Sequence, residues 1–441
     1  MIDRYAQSRT LTAQSARTIA GGVVSLNRKT DPPIVFVRGA GSKIYDADGH
    51  EYIDYHAAFA PHILGHNHPE VNEAVVQALQ QGWTLSGSGT TFWEMRFAEL
   101  LRAAVPSLER IQLTNSGSEA TAHAIRLSRA WTGRDDIIVT LGGYNGWHND
   151  VARAVMPPLE AIGPRVEQGE YRFVPMSAGI PDEVKQRVHV VNFNDVESVE
   201  SVMRKYPTAC VITEPALQNI GVVPPLPGYL ASLRELCDRY GALLVFDEVK
   251  TGFRAALGGY QAIANVTPDL STFGKAVANG YPLGVIGGRK DVMDLFDDPD
   301  PARRVLIAGT YNGHPLTVAA AIATLEILRR DDGAVFRQLE ARSVWLQSGL
   351  ADIFGEFGVT ARISRIGSAF CVYFSDHIPT DWHDLMTSHD FDFDRRYRRA
   401  LIDCGIYHFP LPCKQGSISA AHTEDDIAHT LEITRAVLRE L

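Results

Sequence analysis

The stretch that decides the fold is "GYLASLRELCDRYGALLVFDEVKTGFR", Gly228 to Arg254. Its first half has helical spacing and stops at Gly241, a residue that tolerates the left-handed backbone of a helix end. The apolar run from Leu243 to Phe246 then reads as a fully buried strand. That strand ends on two adjacent carboxylates, Asp247 and Glu248, with Lys250 close behind. Burying a charge is costly unless something pairs with it. The sequence therefore demands a partner at this strand end.

The same form recurs. "DDIIVTLGG", "ACVITEPAL" and "PLGVIGG" are short β-branched runs followed by turn residues. Helical patterns lie between them. "HPEVNEAVVQALQQG" puts Pro69 near a helix start, Val71, Val75, Ala78 and Leu79 on one face, and Gly82 past the end. "SGSEATAHAIRLSRAWTG" is Ala-rich and stops at Gly133. This alternation predicts an α/β domain with a mostly parallel sheet covered on both faces. From about Pro315 the pattern changes to a long Ala- and Leu-rich helix, then short strand-like pieces ("SAFCVYF", "GIYHF", "SISAAH"). A last helix opens at Thr423, with Asp426 three residues on as a capping-box-like pair. This tail reads as a smaller α+β domain. The acidic "DLFDDPDPARR" of 294–304 reads as a solvated loop.

Composition narrows the partners. The 441 residues are 45% hydrophobic and 21% charged, an ordinary globular balance. Net charge is −10 and no basic block is present, which argues against nucleic acid. No apolar run reaches membrane-spanning length. Five scattered cysteines suit neither a disulfide framework nor a metal site, and they fit a reducing cytoplasm. The opening "MIDRYAQSRTLTAQSARTIAGG" has the Ser, Thr, Ala and Arg bias of a transit peptide. The alternative is an amphipathic opening helix.

In parallel α/β sheets ligands bind beyond the carboxyl ends of the strands, where Asp247 stands. A heteroaromatic cation answers its need for a partner. A carboxylate beside a pyridine nitrogen keeps that nitrogen protonated and makes the ring an electron sink, as pyridoxal phosphate requires. That cofactor also needs a lysine. "STFGKAVANGYPLG" places Lys275 after a strand-like piece, among apolar and small residues that would depress its pKa. A lone lysine is otherwise an ordinary surface residue. A phosphate cradle is available in "TNSGSEA", where Ser116, Gly117 and Ser118 meet a helix N-terminus. The same residues also serve as a plain helix cap. "GGYNGWHND" offers Tyr144 to stack on a ring, or simply a glycine-rich turn with packing aromatics.

Taken in order, these stretches resemble the class-III aminotransferases, in particular the glutamate-1-semialdehyde aminomutase branch and its transaminase relatives. Further matching pieces are "GGVVSLNR", "YDADGHEYIDY", "ILGHNHPEV", "EPALQNIGVVPP", "AGTYNGHPLTVAA" and "SAAHTEDDI". The resemblance implies the type I pyridoxal-phosphate fold, α/β with a mostly parallel seven-stranded sheet and a smaller α+β domain. The implied division is an N-terminal segment, 1–60, that packs with the small domain, a large cofactor domain, 61–314, and a C-terminal small domain, 315–441.

It also implies roles. Lys275 would hold the cofactor covalently and shuttle a proton, and Asp247 would pair with the ring nitrogen. Ser116, Gly117 and Ser118 would hold the phosphate and Tyr144 would stack on the ring, with Glu214 and Asn219 nearby. Thr310 would reach the phosphate of a neighbouring subunit in a homodimer with shared active sites. Arg28 would meet a substrate carboxylate, with Phe59 near the substrate.

Two departures bear on the substrate. Lys414, in "PCKQGSISAAHT", occupies the place of an aminomutase glutamate, and the segment of about 151–181, a mobile gate in the aminomutases, has its own sequence. The expectation is thus a cytoplasmic homodimeric aminotransferase that moves an amino group from a carboxylate-bearing amine or amino acid to a carbonyl acceptor, without metal. Glutamate semialdehyde is not the primary substrate expected. An aminomutase, an amino-acid racemase or epimerase, and a catalytically silent binding protein are the alternatives.

Overall fold

The computed structural model describes residues 3–441. Its centre is a seven-stranded sheet. Across the sheet the strands run Arg110–Thr114, Gly284–Gly288, Leu270–Gly274, Leu243–Asp247, Thr208–Thr213, Asp136–Thr140 and Val188–Val191. The last five are mutually parallel, and Gly284–Gly288 is antiparallel to both its neighbours. Every residue of Leu243–Asp247 and of Thr208–Thr213 is buried, so both faces are covered, as expected of a parallel sheet. Helices Gly117–Thr132 and Tyr229–Tyr240 end on left-handed glycines, Gly133 and Gly241, the stops read from the sequence.

The chain's two ends build the smaller part together. Strands Phe36–Ala40, Lys43–Asp46 and Glu51–Asp54 form a sheet completed by Ile406–Tyr407, parallel to Glu51–Asp54. A second small sheet joins Arg362–Ile366, Ala369–Tyr373 and Gly416–Ser417. The last helix, Glu424–Glu440, carries the capping box: Asp426 N–H donates to Thr423 Oγ1 at 3.1 Å and Thr423 N–H to Asp426 Oδ2 at 2.9 Å. The buried Asp426 also accepts from Ser42 at 2.8 Å.

Three local expectations need correction. Helix Pro69–Gln80 buries Val71, Val75 and Ala78, but Leu79 is 58% exposed. At 100° per residue Leu79 falls at the edge of the face that those three define. The opening helix, Ala6–Ser15, buries only Ser8 and so has no apolar face. It is held instead by Asp48, which accepts from Gln7 N–H at 2.7 Å and from Ser8 N–H at 3.0 Å. Within 294–304, Leu295 is buried in a short helical turn, so that segment is not wholly a solvated loop.

One stretch of backbone is unusual. Ala57, Ala58, Phe59 and Ala60 all have positive φ, between 48° and 80°. Residues with a Cβ enter this region singly, at roughly 1–2 kcal/mol each. Four in a row form a left-handed turn that delivers Phe59 to the small pocket described next.

Candidate functional site

The carboxyl ends of five strands meet at one edge of the large sheet, and each is followed by a residue of one cavity. Thr114 leads to Asn115, Ser116, Gly117 and Ser118. Thr140 is followed by Tyr144 and Asn145, and Thr213 by Glu214. Leu243–Asp247 ends on Asp247, and Gly274 leads to Lys275. All line a cavity of about 280 Å³, together with Asn219, Val249, Lys250 and Tyr281. Thus Lys275, Asp247, Ser116, Gly117, Ser118, Tyr144, Glu214 and Asn219 come together as the sequence predicts.

The paired carboxylates of the opening stretch have different roles because successive strand residues face opposite ways. Glu248 turns away from the cavity and is satisfied by the chain itself. It accepts from Tyr260 N–H at 2.8 Å, Gln261 N–H at 2.9 Å and Thr251 Oγ1 at 2.7 Å. Asp247 faces the cavity. It accepts from Asn145 Nδ2 at 2.8 Å, Thr272 Oγ1 at 3.1 Å and Val249 N–H at 3.1 Å. Among the described residues it has no ion-pair partner. Burial pushes its pKa up, only partly opposed by Asn145 and by the charge of Lys275. A cation placed here would be stabilised by Asp247 and would keep it ionised.

Glu214 is buried likewise, and its pKa is raised by that burial. It accepts from Tyr144 N–H at 2.9 Å, Gln218 N–H at 3.0 Å and Asn219 Nδ2 at 2.8 Å, which fixes the walls on either side. Lys275 follows its strand at φ 48° and starts a short helical turn. Burial lowers its pKa, against the pull of Asp247 and Glu214, so the neutral amine is more accessible than in water.

The helix cap is present and leaves amides free beside it. Ser116 Oγ accepts from Glu119 N–H at 3.2 Å and starts helix Gly117–Thr132. Among the described residues the amides of Gly117 and Ser118 have no acceptor, so they remain open to an anion. Glycine is required here by packing: a Cβ on Gly117 would lie 2.7 Å from Val249 Cγ1. Gly284 is under the same demand, since its Cβ would run into Ser116 O. The first turn of the helix is thereby pressed against the turn that follows Asp247.

The other expected residues are dispersed. Phe59 and Lys414 line a smaller adjoining pocket of about 20 Å³ with His56, Ala60, Asn219, Lys250 and Gln415. Arg28 and Thr310 are exposed and line neither space within one chain. Sequence reasoning missed Asn145 and Thr272, which hold Asp247, and it gave Lys250 no role at the site. Lys250 is in fact buried, and its Nζ donates to Gln218 O at 2.5 Å. The available signal was its position: a turn at the carboxyl end of a parallel strand belongs to the ligand edge.

The site's residues fit pyridoxal phosphate on their own evidence. A buried carboxylate lacks a cation, two helix amides lack an acceptor, and a lysine of lowered pKa lies in the same cavity.

Comparison with known proteins agrees. The Aminotransferase class-III family profile matches residues 25–390. Glutamate-1-semialdehyde 2,1-aminomutase from Desulforapulum autotrophicum is 40% identical over 441 residues, 99% of this chain and 99% of that protein. The protein of the same name from Natranaerobius thermophilus is 38% identical over 443 aligned positions, 99% of this chain and 98% of that protein. The crystal structure of an omega-transaminase from Sphaerobacter thermophilus superposes with a TM-score of 0.90 at 31% identity, covering 98% of this chain and 97% of that one. The chain belongs to the class-III aminotransferases and is an enzyme of that class.

Proposed function

We propose that this enzyme binds pyridoxal phosphate and moves an amino group within a small carboxylate-bearing substrate, as a glutamate-1-semialdehyde 2,1-aminomutase does. The observation that carries the cofactor chemistry is the convergence of an unpaired buried Asp247, the open amides of Gly117 and Ser118, and Lys275 in one cavity. The names of two relatives at 38% and 40% identity favour the aminomutase outcome. They favour it over the intermolecular aminotransferase that the sequence alone puts first.

When bound, the cofactor supplies an electron sink through its protonated ring nitrogen. Asp247 would keep that nitrogen protonated, and Asn145 and Thr272 hold Asp247 in place. Gly117, Ser118 and the hydroxyl of Ser116 would take the phosphate, and Tyr144 would pack on the ring. Lys275 would hold the cofactor covalently until the substrate amine displaces it, and its freed amine would then accept the proton from the substrate carbon beside that amine and give it back later in the transfer, a task suited to an amine whose pKa burial has lowered.

Intermolecular amino transfer is the second reading. Lys414 favours it, because a lysine in place of an acidic residue in the pocket adjoining the cavity changes which substrate ends are attracted. One experiment separates the two. The aminomutase turns over 4-amino-5-oxopentanoate to its 5-amino-4-oxo isomer continuously with no second carbonyl compound. An enzyme that stops after one turnover, with its cofactor in the amino form, is an aminotransferase.

The active unit in this reading is a cytoplasmic homodimer. Arg28 and Thr310 lie on the surface of one chain beside large exposed apolar residues. Leu26 is 78% exposed, Leu306 69% and Tyr311 63%. The segment carrying Thr310 also touches the site, where Asn115 Nδ2 donates to Asn312 Oδ1 at 3.0 Å. Mixing inactive Lys275→Ala chains with inactive Thr310→Ala chains restores activity if each site uses both copies. No recovery after confirmed subunit exchange refutes the shared site.

A further inference from the structure

Two lysines meet between the main cavity and the small pocket, and no anion answers them. Lys250 comes from the turn after the central strand and Lys414 from the C-terminal part of the chain. Lys250 Nζ donates to Gln218 O at 2.5 Å and lies 3.4 Å from Asn219 Oδ1. Lys414 Nζ donates to Asn219 O at 2.7 Å. Both ammonium groups thus reach the same two-residue segment.

An ammonium has three donors. Lys250 uses at most two and Lys414 one, and among the described residues neither has an ion-pair partner. Lys250 is only 6% exposed. Two like charges in such a space repel, and each is costly to keep buried without an anion. Burial, then the charge of Lys275, press the Lys250 pKa well below its usual value against the pull of Glu214, with Lys414 adding to the fall, and a carboxylate bound beside it would restore its charge. Burial lowers that of Lys414 as well.

The walls suit a short aliphatic acid. Lys250 and Asn219 line both spaces, so the main cavity and the small pocket adjoin at these two side chains. That pocket has an aromatic side, where the rings of His56 and Phe59 are 4.3 Å apart and Phe409 lies 5.0 Å from Phe59. Burial holds His56 neutral, with a pKa of about 4, so the lysines supply the charge. No acidic side chain lines the small pocket.

We propose that Lys250 and Lys414 form the subsite for the substrate carboxylate distal to the reacting amine. This rests on the amino-transfer reading above and deepens it: the enzyme selects ω-carboxylated amines over plain alkylamines. The competing account is structural, with both lysines only bracing the segment at Gln218 and Asn219 that adjoins Glu214.

The test uses the holoenzyme and two probes. Glutarate, which has no amine and cannot react, is titrated calorimetrically into wild type, Lys250→Met, Lys414→Met and Lys250→Arg. Wild type binds it, each methionine variant binds it about tenfold or more weakly, and the arginine variant stays close to wild type. In parallel, conversion of the cofactor to its amino form is followed with 4-aminobutyrate and with butylamine. The ratio of their second-order rate constants falls about tenfold in each methionine variant. A bracing role slows both amines alike and leaves the ratio unmoved, and that result overturns the subsite. Wild-type holoenzyme that ignores glutarate overturns it too. If Lys250→Met does not fold, the Lys414→Met pair of measurements decides. An enzyme that converts neither these amines nor 4-amino-5-oxopentanoate defeats the amino-transfer reading separately, while the glutarate titration still judges the lysines.

Discussion

The two edges of the large sheet handle buried charge in opposite ways. At the amino ends of the strands the buried acids are answered by the chain. Asp136 opens its strand and lies 3.0 Å from His189 Nε2, while His189 Nδ1 lies 2.5 Å from Glu170. Asp269, just ahead of Leu270–Gly274, takes Arg234 at 2.6 Å and Arg289 at 2.8 Å, and accepts from Leu244 N–H at 2.8 Å. At the carboxyl ends Asp247, Glu214 and Lys250 are just as enclosed, Lys275 is half-buried, and among the described residues none of the four has an ion pair. The pKa values follow. Glu170 is held down to about 2 by its hydrogen bond to His189, whereas burial pushes Asp247 up. Folding completes the charges of one edge, and a ligand must complete those of the other.

Breaking the comparison at its centre has the largest effect. Lys275→Ala lowers amino transfer by about 10⁴-fold or more. Borohydride reduction and peptide mapping of the wild-type holoenzyme label Lys275; a label on Lys250 would exchange the roles of the two lysines. Asp247→Asn keeps the thermal midpoint and lowers turnover by about a hundredfold. Near-normal turnover there would remove Asp247 from the ring nitrogen.

The amino-end edge responds the other way round. Asp269→Ala leaves two arginines and a buried amide without their acceptor. It costs about 3 kcal/mol of stability in denaturant titrations, while the rate per folded molecule stays at the wild-type level. A fall in that rate without a fall in stability would erase the distinction between the edges.

The smallest effect comes from His189. Burial alone would lower its pKa, but hydrogen bonds to Glu170 and Asp136 outweigh it and raise the pKa above 6.5. Its stabilising contribution is therefore complete below pH 6.5 and is lost as the pH climbs through the raised folded value. Urea midpoints on either side of that window decline with pH in wild type and decline less in His189→Gln. Parallel curves would mean that the imidazole carries no charge in the native state.

The sheet was legible because its strands announce themselves twice, as β-branched runs and by the glycines at 133 and 241 that stop the helices between them. Asp247 and Lys275 were legible because they end two such strands. What resisted reading depends on side-chain direction and long-range contact. Nothing in "DEVK" alone says that Asp247 faces the cavity while Glu248 caps a turn at Tyr260 and Gln261. Asn145 and Thr272 are ordinary residues until the fold brings them to one carboxylate. Lys250 looked like a turn lysine because the segment that covers it, Gln218 and Asn219, is some thirty residues upstream. The family resemblance reached the cofactor chemistry directly. Between transaminase and aminomutase it put the transaminase first, and the relatives favour the other, because both outcomes use the same residues.

The short strand Ile406–Tyr407 has a consequence in time. It is the only neighbour of Glu51–Asp54 on that side, so the first sheet of the chain waits for one of its last pieces. Ser42 and Asp426, joined by a hydrogen bond, are 384 residues apart. During synthesis from the N-terminus, the first strands leave the ribosome early and stay an open edge until nearly everything else has been made. The cofactor domain can close in the meantime. The region made first is therefore finished last, and a chain interrupted before Ile406 carries a raw strand edge into a crowded cell.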